Sequence, residues 1–340
     1  MGQRATVSKS LASKSIAFRV TEASRVPVDA CLLCGQNLEL VLAGVTDNRL
    51  GAPGEYEIRR CLACGLEQTF PVPTQPALTE LYERFYNFGG IKGTLYTSLR
   101  QRFLSSFINR VWATIDGDVA FHLKKGQGRL LDVGCNEGRG LAIFARNGFR
   151  VEGLELNSNA AEVACEAGFT VHTCLIEKFH PDAKFDVSVL SNVLEHSLQP
   201  GKMLVDVHRI LADGGRIWIS CPNSRSWIRT VFGKRWINWH VPFHISHFSE
   251  STLYQLLEKS GYTKIEIRHI TPALWIAQSL IASMFAKPGK KTSQLRNPYL
   301  TLIFMTLARF VAFPALWLGN RLHRGDCLQV IAIKSPAGAN

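Results

Sequence analysis

From residue 129 onward, short apolar runs alternate with amphipathic stretches. The runs at 129–133, 151–156, 185–190 and 216–220 read as buried strands, with a further strand near 169–174. Between them, apolar residues recurring at about 3.6-residue spacing predict helices near 139–147, 159–167 and 201–212. A helix at 250–260, a strand near 264–270 and a closing strand at 328–334 follow. Strand and helix in repeated alternation predict an α/β fold, a parallel sheet covered on both faces. Ahead of this pattern, 26–72 is rich in Gly, Pro and Cys and reads as short strands and turns, whereas 75–125 has helical spacing. No internal repeat is visible.

Composition permits a large domain plus a smaller one. The chain has 340 residues, 46% hydrophobic and 19% charged, enough for a substantial core. Its net charge of +12 points to an anionic partner: nucleic acid, an acidic lipid surface or a phosphorylated compound. Part of that excess lies in Arg4, Lys9, Lys14 and Arg19, with no acid through residue 20, and 1–25 reads as a disordered basic tail. No secretory apolar core follows Met1, so a reducing, cytoplasmic setting is expected, where CxxC pairs bind metal more often than they form disulfides.

Two such pairs are present. Cys31-Leu-Leu-Cys34-Gly35 and Cys61-Leu-Ala-Cys64-Gly65 stand 26 residues apart and offer four thiolates for one tetrahedral ion. Each glycine lets backbone amides turn toward the sulfurs. A closed four-sulfur shell leaves no open coordination position, so the expected zinc is structural.

A second chemical signal is the turn Asp132-Val-Gly134-Cys-Asn136-Glu-Gly138-Arg-Gly140, where a strand passes into a helix. Glycine there lets the backbone approach a ligand at the carboxyl end of the strand. Glu155 ends the next strand, 21 residues after Gly134, where a carboxylate can accept both hydroxyls of a ribose. Asn136 interrupts the dinucleotide-binding G-x-G-x-x-G spacing, so an adenosine ligand without pyrophosphate fits better than NAD.

With these residues in place, 128–270 resembles the class I S-adenosylmethionine-dependent methyltransferases, particularly the ubiquinone-type O-methyltransferase and sugar methyltransferase subgroup. LDVGCNEGRG resembles the first motif of that family and VEGLELN its acidic second. FDVSVLSNVLEHSLQP resembles the fourth-strand motif, ILADGGRIWISCPN the Gly-Gly–strand–Pro-Asn segment, and HVPFHISHFSESTLYQLLEKSGY the later His-rich segment. The resemblance implies a Rossmann-like seven-stranded sheet with helices on both faces, the small zinc ribbon preceding it and a helical lid or linker at 75–125. It further implies that Asp132, Gly134, Asn136 and Gly138 shape the methionine pocket, that Glu155 binds the ribose and that Leu156 flanks the adenine. Ile176 and Glu177 would lie beside the base and Asn192 beside the methionine part.

A sulfonium methyl is already activated, so positioning dominates, and an oxygen or carbon acceptor adds the need for a base. His196 and His244, with Glu195 beside the first, are the candidate catalytic residues; His240 and His247 share the same His-rich setting. Some quinone O-methyltransferases bind a divalent ion through Glu-x-x-Glu-His, but Asn192 occupies the first glutamate position here. The amine-methylating Asn/Asp-Pro-Pro-aromatic motif is absent. The CxxC ribbon with Tyr82 and Tyr86 also resembles the front of the nucleotide-sugar C-methyltransferases.

An apolar segment at 272–322 interrupts the alternation. Residues 298–319 carry one charge, Arg309, and have the length of a bilayer crossing, yet the strand at 328–334 must return to the sheet. A re-entrant or interfacial pair of helices, flanked by Lys287, Lys290, Lys291, Arg296, Arg321 and Arg324, reconciles the two. The expected acceptor is a sugar, a polyprenyl-linked glycan or a lipid-like small molecule, with peripheral contact to the inner face of a membrane. The alternatives are an RNA methyltransferase that grips RNA through the ribbon, disfavoured by the absence of an aromatic-basic stripe, and a non-catalytic zinc-ribbon scaffold.

Overall fold

The computed structural model describes residues 30–85 and 107–336. The basic tail at 1–25 and Tyr86 lie outside the described residues.

Three strands open the chain: β1 (Leu38–Val45), β2 (Tyr56–Cys61) and β3 (Glu67–Phe70). Helices α1 (Gln75–Phe85) and α2 (Phe107–Asp116) follow. Helical spacing predicted α-structure through residue 125, but α2 stops at Asp116. Gly117 takes a left-handed φ of 96°, and any Cβ there would lie 2.5 Å from the Ile270 side chain, so the chain turns instead.

The alternating region then forms β4 (Arg129–Val133), α3 (Arg139–Arg146), β5 (Arg150–Leu154), α4 (Ser158–Glu166), β6 (Thr170–His172) and β7 (Phe185–Ser191). Helix α5 (Pro200–Ile210) leads into β8 (Leu211–Pro222), which begins before the apolar run expected at 216–220 because Leu211 already pairs with Phe185. Next come a short helix α6 (Trp227–Phe232), β9 (Ser246–His247), α7 (Glu250–Lys259) and β10 (Tyr262–Ile270). The apolar segment forms α8 (Ala273–Phe285), α9 (Pro298–Val311) and α10 (Phe313–Arg321), and β11 (Cys327–Lys334) closes the sheet.

The main sheet has seven strands in the order β10-β11-β8-β7-β4-β5-β6. Strands β4 to β8 run parallel, and β11 runs antiparallel to both neighbours. The core on this sheet comes from Leu131, Leu190, Ile217, Ile219 and Val330, all fully buried, which is why these strands read as continuous apolar runs. Strand β4 sits between β5 and β7, so the loops after these three strands meet at one edge, the place where open α/β sheets bind ligands.

The ribbon is not a detached module. Its sheet runs β1-β2-β3-β9, so the fourth strand is lent by the later His-rich segment, with Glu67 opposite His247 and Gln68 opposite Ser246. Glu67 is 1% exposed and also pairs with Arg229 at 2.7 Å.

Among the described residues no single helix is long and apolar enough to cross a membrane. Helices α9 and α10 together carry enough apolar length but bend by 69° at Ala312. Helix α8 is largely buried, packing Ala273 and Ile276 against Ala308 of α9.

Candidate functional site

The loop after β4 is built for close approach. Gly134 and Gly138 adopt left-handed φ values of 73° and 76°, and Asn136 between them takes 50°. Asparagine tolerates that region better than most side chains, and its Oδ1 accepts the N–H of Glu137 at 2.8 Å. Asn136 thus holds a turn that glycine would also make. Gly134 and Cys135 donate their N–H groups to the Leu154 carbonyl, which fixes the loop against the end of β5.

Glu155, placed by β5, turns its carboxylate into this loop. One oxygen accepts the N–H of Asn136 and the other that of Asn157, both at 2.8 Å, while the carboxylate stays half-buried. Asp132 is 8% exposed, and burial, with Glu155 nearby, pushes its carboxyl up to about 7. Asn192 follows β7 with φ 55° and donates its N–H to the Ser220 carbonyl; any Cβ on Gly134 would lie 2.9 Å from Val193. Asp132, the 134–138 turn, Glu155 and Asn192 therefore share one sheet edge. Leu156 is exposed beside them; Ile176 is buried in the short turn after β6, and Glu177 faces solvent in a 3.0 Å pair with Lys202.

Three residues beyond Val193 the chain enters a histidine cluster. Donor atoms of Glu195, His196 and His244 lie within 4.8 Å of one another. His196 Nδ1 lies 2.8 Å from the Tyr82 hydroxyl and 3.0 Å from the Phe243 carbonyl. His244 Nδ1 lies 2.8 Å from the Asn238 carbonyl. A carbonyl only accepts, so in both rings Nδ1 carries the proton and Nε2 keeps its lone pair. Burial lowers His196 to about 4 and His244 well below its ordinary range, so both rings are neutral near pH 7. Glu195 is 1% exposed, neither of its oxygens has a hydrogen-bond partner among the described residues, and burial pushes it up to about 8. Its nearer oxygen stands 4.0 Å from His244 Nε2. His196 alone of this set is half-buried rather than buried.

His247, from the same segment, is spoken for in the ribbon interface: its Nε2 meets the Thr69 hydroxyl at 3.0 Å, and Thr69 donates to the His244 carbonyl at 2.6 Å. Arg49, in the β1–β2 connection, donates to the Ile237 carbonyl and to Asn238 Oδ1 at 3.2 and 3.3 Å. Asp326 is fully buried and accepts from Ser226, Trp236 and Asn238 at 2.6, 2.9 and 3.1 Å. Arg49, Asn238 and Asp326 were not visible from sequence. They belong to no motif, and each matters only because distant segments converge on it.

The four cysteines of the ribbon converge as the spacing predicts. Cys31 and Cys64 sulfurs are 3.5 Å apart, Cys34 and Cys61 3.4 Å, and all four lie within 4.8 Å of one another. Tetrahedral bonds of ~2.3 Å place sulfurs ~3.8 Å apart, so the set fits zinc. The N–H groups of Leu33 and Cys64 point at the Cys31 and Cys61 sulfurs at 3.4 Å, as expected around thiolates.

A methyltransferase-domain family model matches residues 96–267, half of the chain. A probable S-adenosylmethionine-dependent methyltransferase of Mycolicibacterium smegmatis is 31% identical over 39% of this chain and 51% of its own length. The ubiquinone biosynthesis O-methyltransferase of Pectobacterium atrosepticum is 29% identical over 42% of this chain and 64% of its own. The chain thus spans between about half and just under two thirds of these relatives. A crystal structure of a SAM-dependent methyltransferase from Archaeoglobus fulgidus aligns with 71% of this chain and 100% of its own, at 20% identity and a TM-score of 0.44.

Proposed function

The chain belongs to the methyltransferase-domain family that matches its middle half, and on that premise we propose that it transfers the methyl group of S-adenosylmethionine to an oxygen or carbon of a sugar, a polyprenyl-linked glycan or a lipid-like small molecule. The observation that carries this reading is the Glu155 carboxylate, bonded to the Asn136 N–H at the carboxyl edge of β4 and β5. Each oxygen spends one lone pair on a backbone amide and keeps another for a ribose hydroxyl. The turn at 134–138 receives the methionine part, flanked by Asn192, and Leu156 presents an apolar face to the adenine. S-adenosylmethionine supplies a methyl group on a positively charged sulfur, already disposed to transfer.

What the protein adds is position and a base. His196 stands where the chain leaves the cofactor edge, neutral and with its Nδ1 proton directed at the Phe243 carbonyl, so Nε2 is the nitrogen whose lone pair takes a proton from an acceptor hydroxyl or from a carbon beside a carbonyl. Tyr82 and the Phe243 carbonyl hold the ring by its other nitrogen. His244 and Glu195 stand behind it, both buried, and keep water from that side of the ring. The similarity to ubiquinone biosynthesis O-methyltransferases supports a small-molecule oxygen acceptor. The ribbon, with zinc as its structural ion, walls the acceptor side.

The test has two steps. Wild type is expected to bind S-adenosylmethionine in a calorimeter, and Glu155→Ala to weaken binding by about tenfold or more. With a labelled methyl group, transfer into the organic-soluble fraction of a cell extract supports a lipid-linked or lipid-like acceptor, and transfer into the aqueous small-molecule fraction a free sugar. Failure of the wild type to bind the cofactor overturns the enzymatic reading and leaves a zinc-ribbon scaffold; transfer into RNA overturns the acceptor class.

A further inference from the structure

Among the described residues, helices α9 and α10 leave an apolar face unpartnered. Phe310 is 77% exposed, Val311 70%, Ile303 59% and Trp317 50%. Helix α6 continues this surface, because Trp227 packs against Gly319 of α10, where any Cβ would stand 3.3 Å from the indole. Beside that contact lies an open depression of about 440 Å³, lined by Trp227, Thr230, Val231 and Arg324. Exposed apolar area of this extent on aromatic and aliphatic side chains marks an interaction surface.

Charge tells which partner. From 272 to 325 the chain contains no Asp or Glu at all, but seven basic residues: Lys287, Lys290, Lys291, Arg296, Arg309, Arg321 and Arg324. Arg309 is taken up by Asp116 of α2, an ion pair that ties α9 to the body of the protein. The lysines of the α8–α9 connection and the arginines at and just after the end of α10 are exposed at the two ends of the apolar stretch. Arg321 lies over the Trp317 ring at 4.9 Å, and Arg324 borders Trp227, so each tryptophan has a cation beside it. Tryptophan paired with cations at the rim of an apolar face is the chemistry of a bilayer interface with anionic headgroups. A second copy of the chain would set one acid-free, basic surface against another, which repulsion disfavours.

Geometry decides between spanning the membrane and lying on it. The 14 residues of α9 rise ~21 Å at 1.5 Å each, short of a ~30 Å hydrocarbon core. The chain then bends by 69°, and β11 returns to pair with β8 in the main sheet.

We infer that α9, α10 and the Trp227–Val231 edge of α6 form a monotopic docking surface for an anionic lipid leaflet, with Phe310, Val311 and Trp317 entering the acyl boundary and Lys290, Lys291, Arg321 and Arg324 meeting headgroups. This specifies the membrane contact expected of a lipid-linked acceptor. It stands apart from the transfer chemistry, which cofactor binding tests separately.

The purified full chain is sedimented with vesicles of phosphatidylcholine alone and of phosphatidylcholine mixed with phosphatidylglycerol. Binding is expected to the mixed vesicles, to weaken as salt is raised, and to drop by about tenfold or more in a Phe310→Ser/Val311→Ser variant. A Lys290→Glu/Lys291→Glu variant, which changes two exposed side chains, is expected to lose binding to mixed vesicles alone; it decides the matter if the first variant misfolds. Melting temperature and cofactor affinity unchanged from wild type certify each variant as folded. Wild type left in the supernatant with both vesicle types overturns the proposal, as does sedimentation unaffected by either variant. So does light scattering that finds a dimer converted to monomer by Phe310→Ser/Val311→Ser without vesicle binding, since the face then belongs to a second copy. Capture of an acidic protein by a chain that ignores vesicles overturns it equally.

Discussion

The hydroxyl of Tyr82, on the helix that follows the cysteine ribbon, lies 2.8 Å from Nδ1 of His196, at the exit of the fourth parallel-sheet motif. The two are 114 positions apart in the chain. Their contact joins the front of the protein to the edge where the transfer is proposed to occur, and it gives the ribbon and its helix a bearing on the chemistry.

Tyr82→Phe keeps the ring, which packs edge-on against Phe243 with centroids 5.4 Å apart, and removes only the hydroxyl. The expected effect is a fall of about tenfold in kcat with cofactor affinity unchanged, read by steady-state kinetics beside calorimetry. An equal loss of cofactor binding would mean that Tyr82 supports the fold instead.

Asn136 holds a left-handed conformation that glycine adopts at no cost and β-branched residues resist by ~1–2 kcal/mol. Asn136→Gly is expected to bind S-adenosylhomocysteine within about threefold of wild type. Asn136→Val is expected to weaken binding by about tenfold, because the Asn136 N–H that meets Glu155 is displaced.

Cys61→Ser removes one of four thiolates. Metal analysis is expected to find zinc in the wild type and little in the variant, and strong chelators to reproduce the loss. The melting temperature should fall by about 5 °C or more, since β2, β3 and β9 share one sheet. Zinc-free wild type with full stability would remove the metal from the account.

Burial pushes Glu195 up to about 8 from an ordinary 4.5. The folded state therefore holds this proton more tightly than the unfolded chain, and the stability it confers is complete below about pH 4.5 and lost as pH rises through about 8. The histidines act in the opposite sense: burial lowers His196 to about 4 and His247 to about 3, so their contribution is present above about 6.5 and lost as pH falls through those values. Glu195→Gln is expected to leave the melting temperature near pH 4 almost unchanged and to raise it by a margin that grows with pH to several degrees near pH 9. Thermal melts of both proteins across that range decide it; parallel curves would mean that Glu195 titrates normally.

The parallel sheet was legible because both of its faces are covered, so β4, β7 and β8 announce themselves as apolar runs. The cofactor edge was legible for a related reason: glycines at 134 and 138 and a carboxylate at 155 are local to two strands and one turn. The cysteine set needed only its spacing. The linkage of the ribbon to the main domain was not legible. The two-residue strand Ser246–His247 has no pattern of its own and becomes a strand because Glu67 and Gln68 offer it an edge. Arg49 and Asp326 were invisible for the same reason, as their partners lie as many as 189 and 100 positions away. Helical spacing past residue 116 misled, because it says nothing of the space that Ile270 takes from Gly117.

The lent strand has a further consequence. Because Ser246 and His247 complete the front sheet, with His244 two residues upstream, damage at the cysteines is expected to reach the proposed acceptor side while β4 and β5 stand untouched. Oxidation of those thiols would then yield a protein that still holds its nucleoside but no longer recognises what it should modify, a failure visible in turnover before it is visible in ligand affinity.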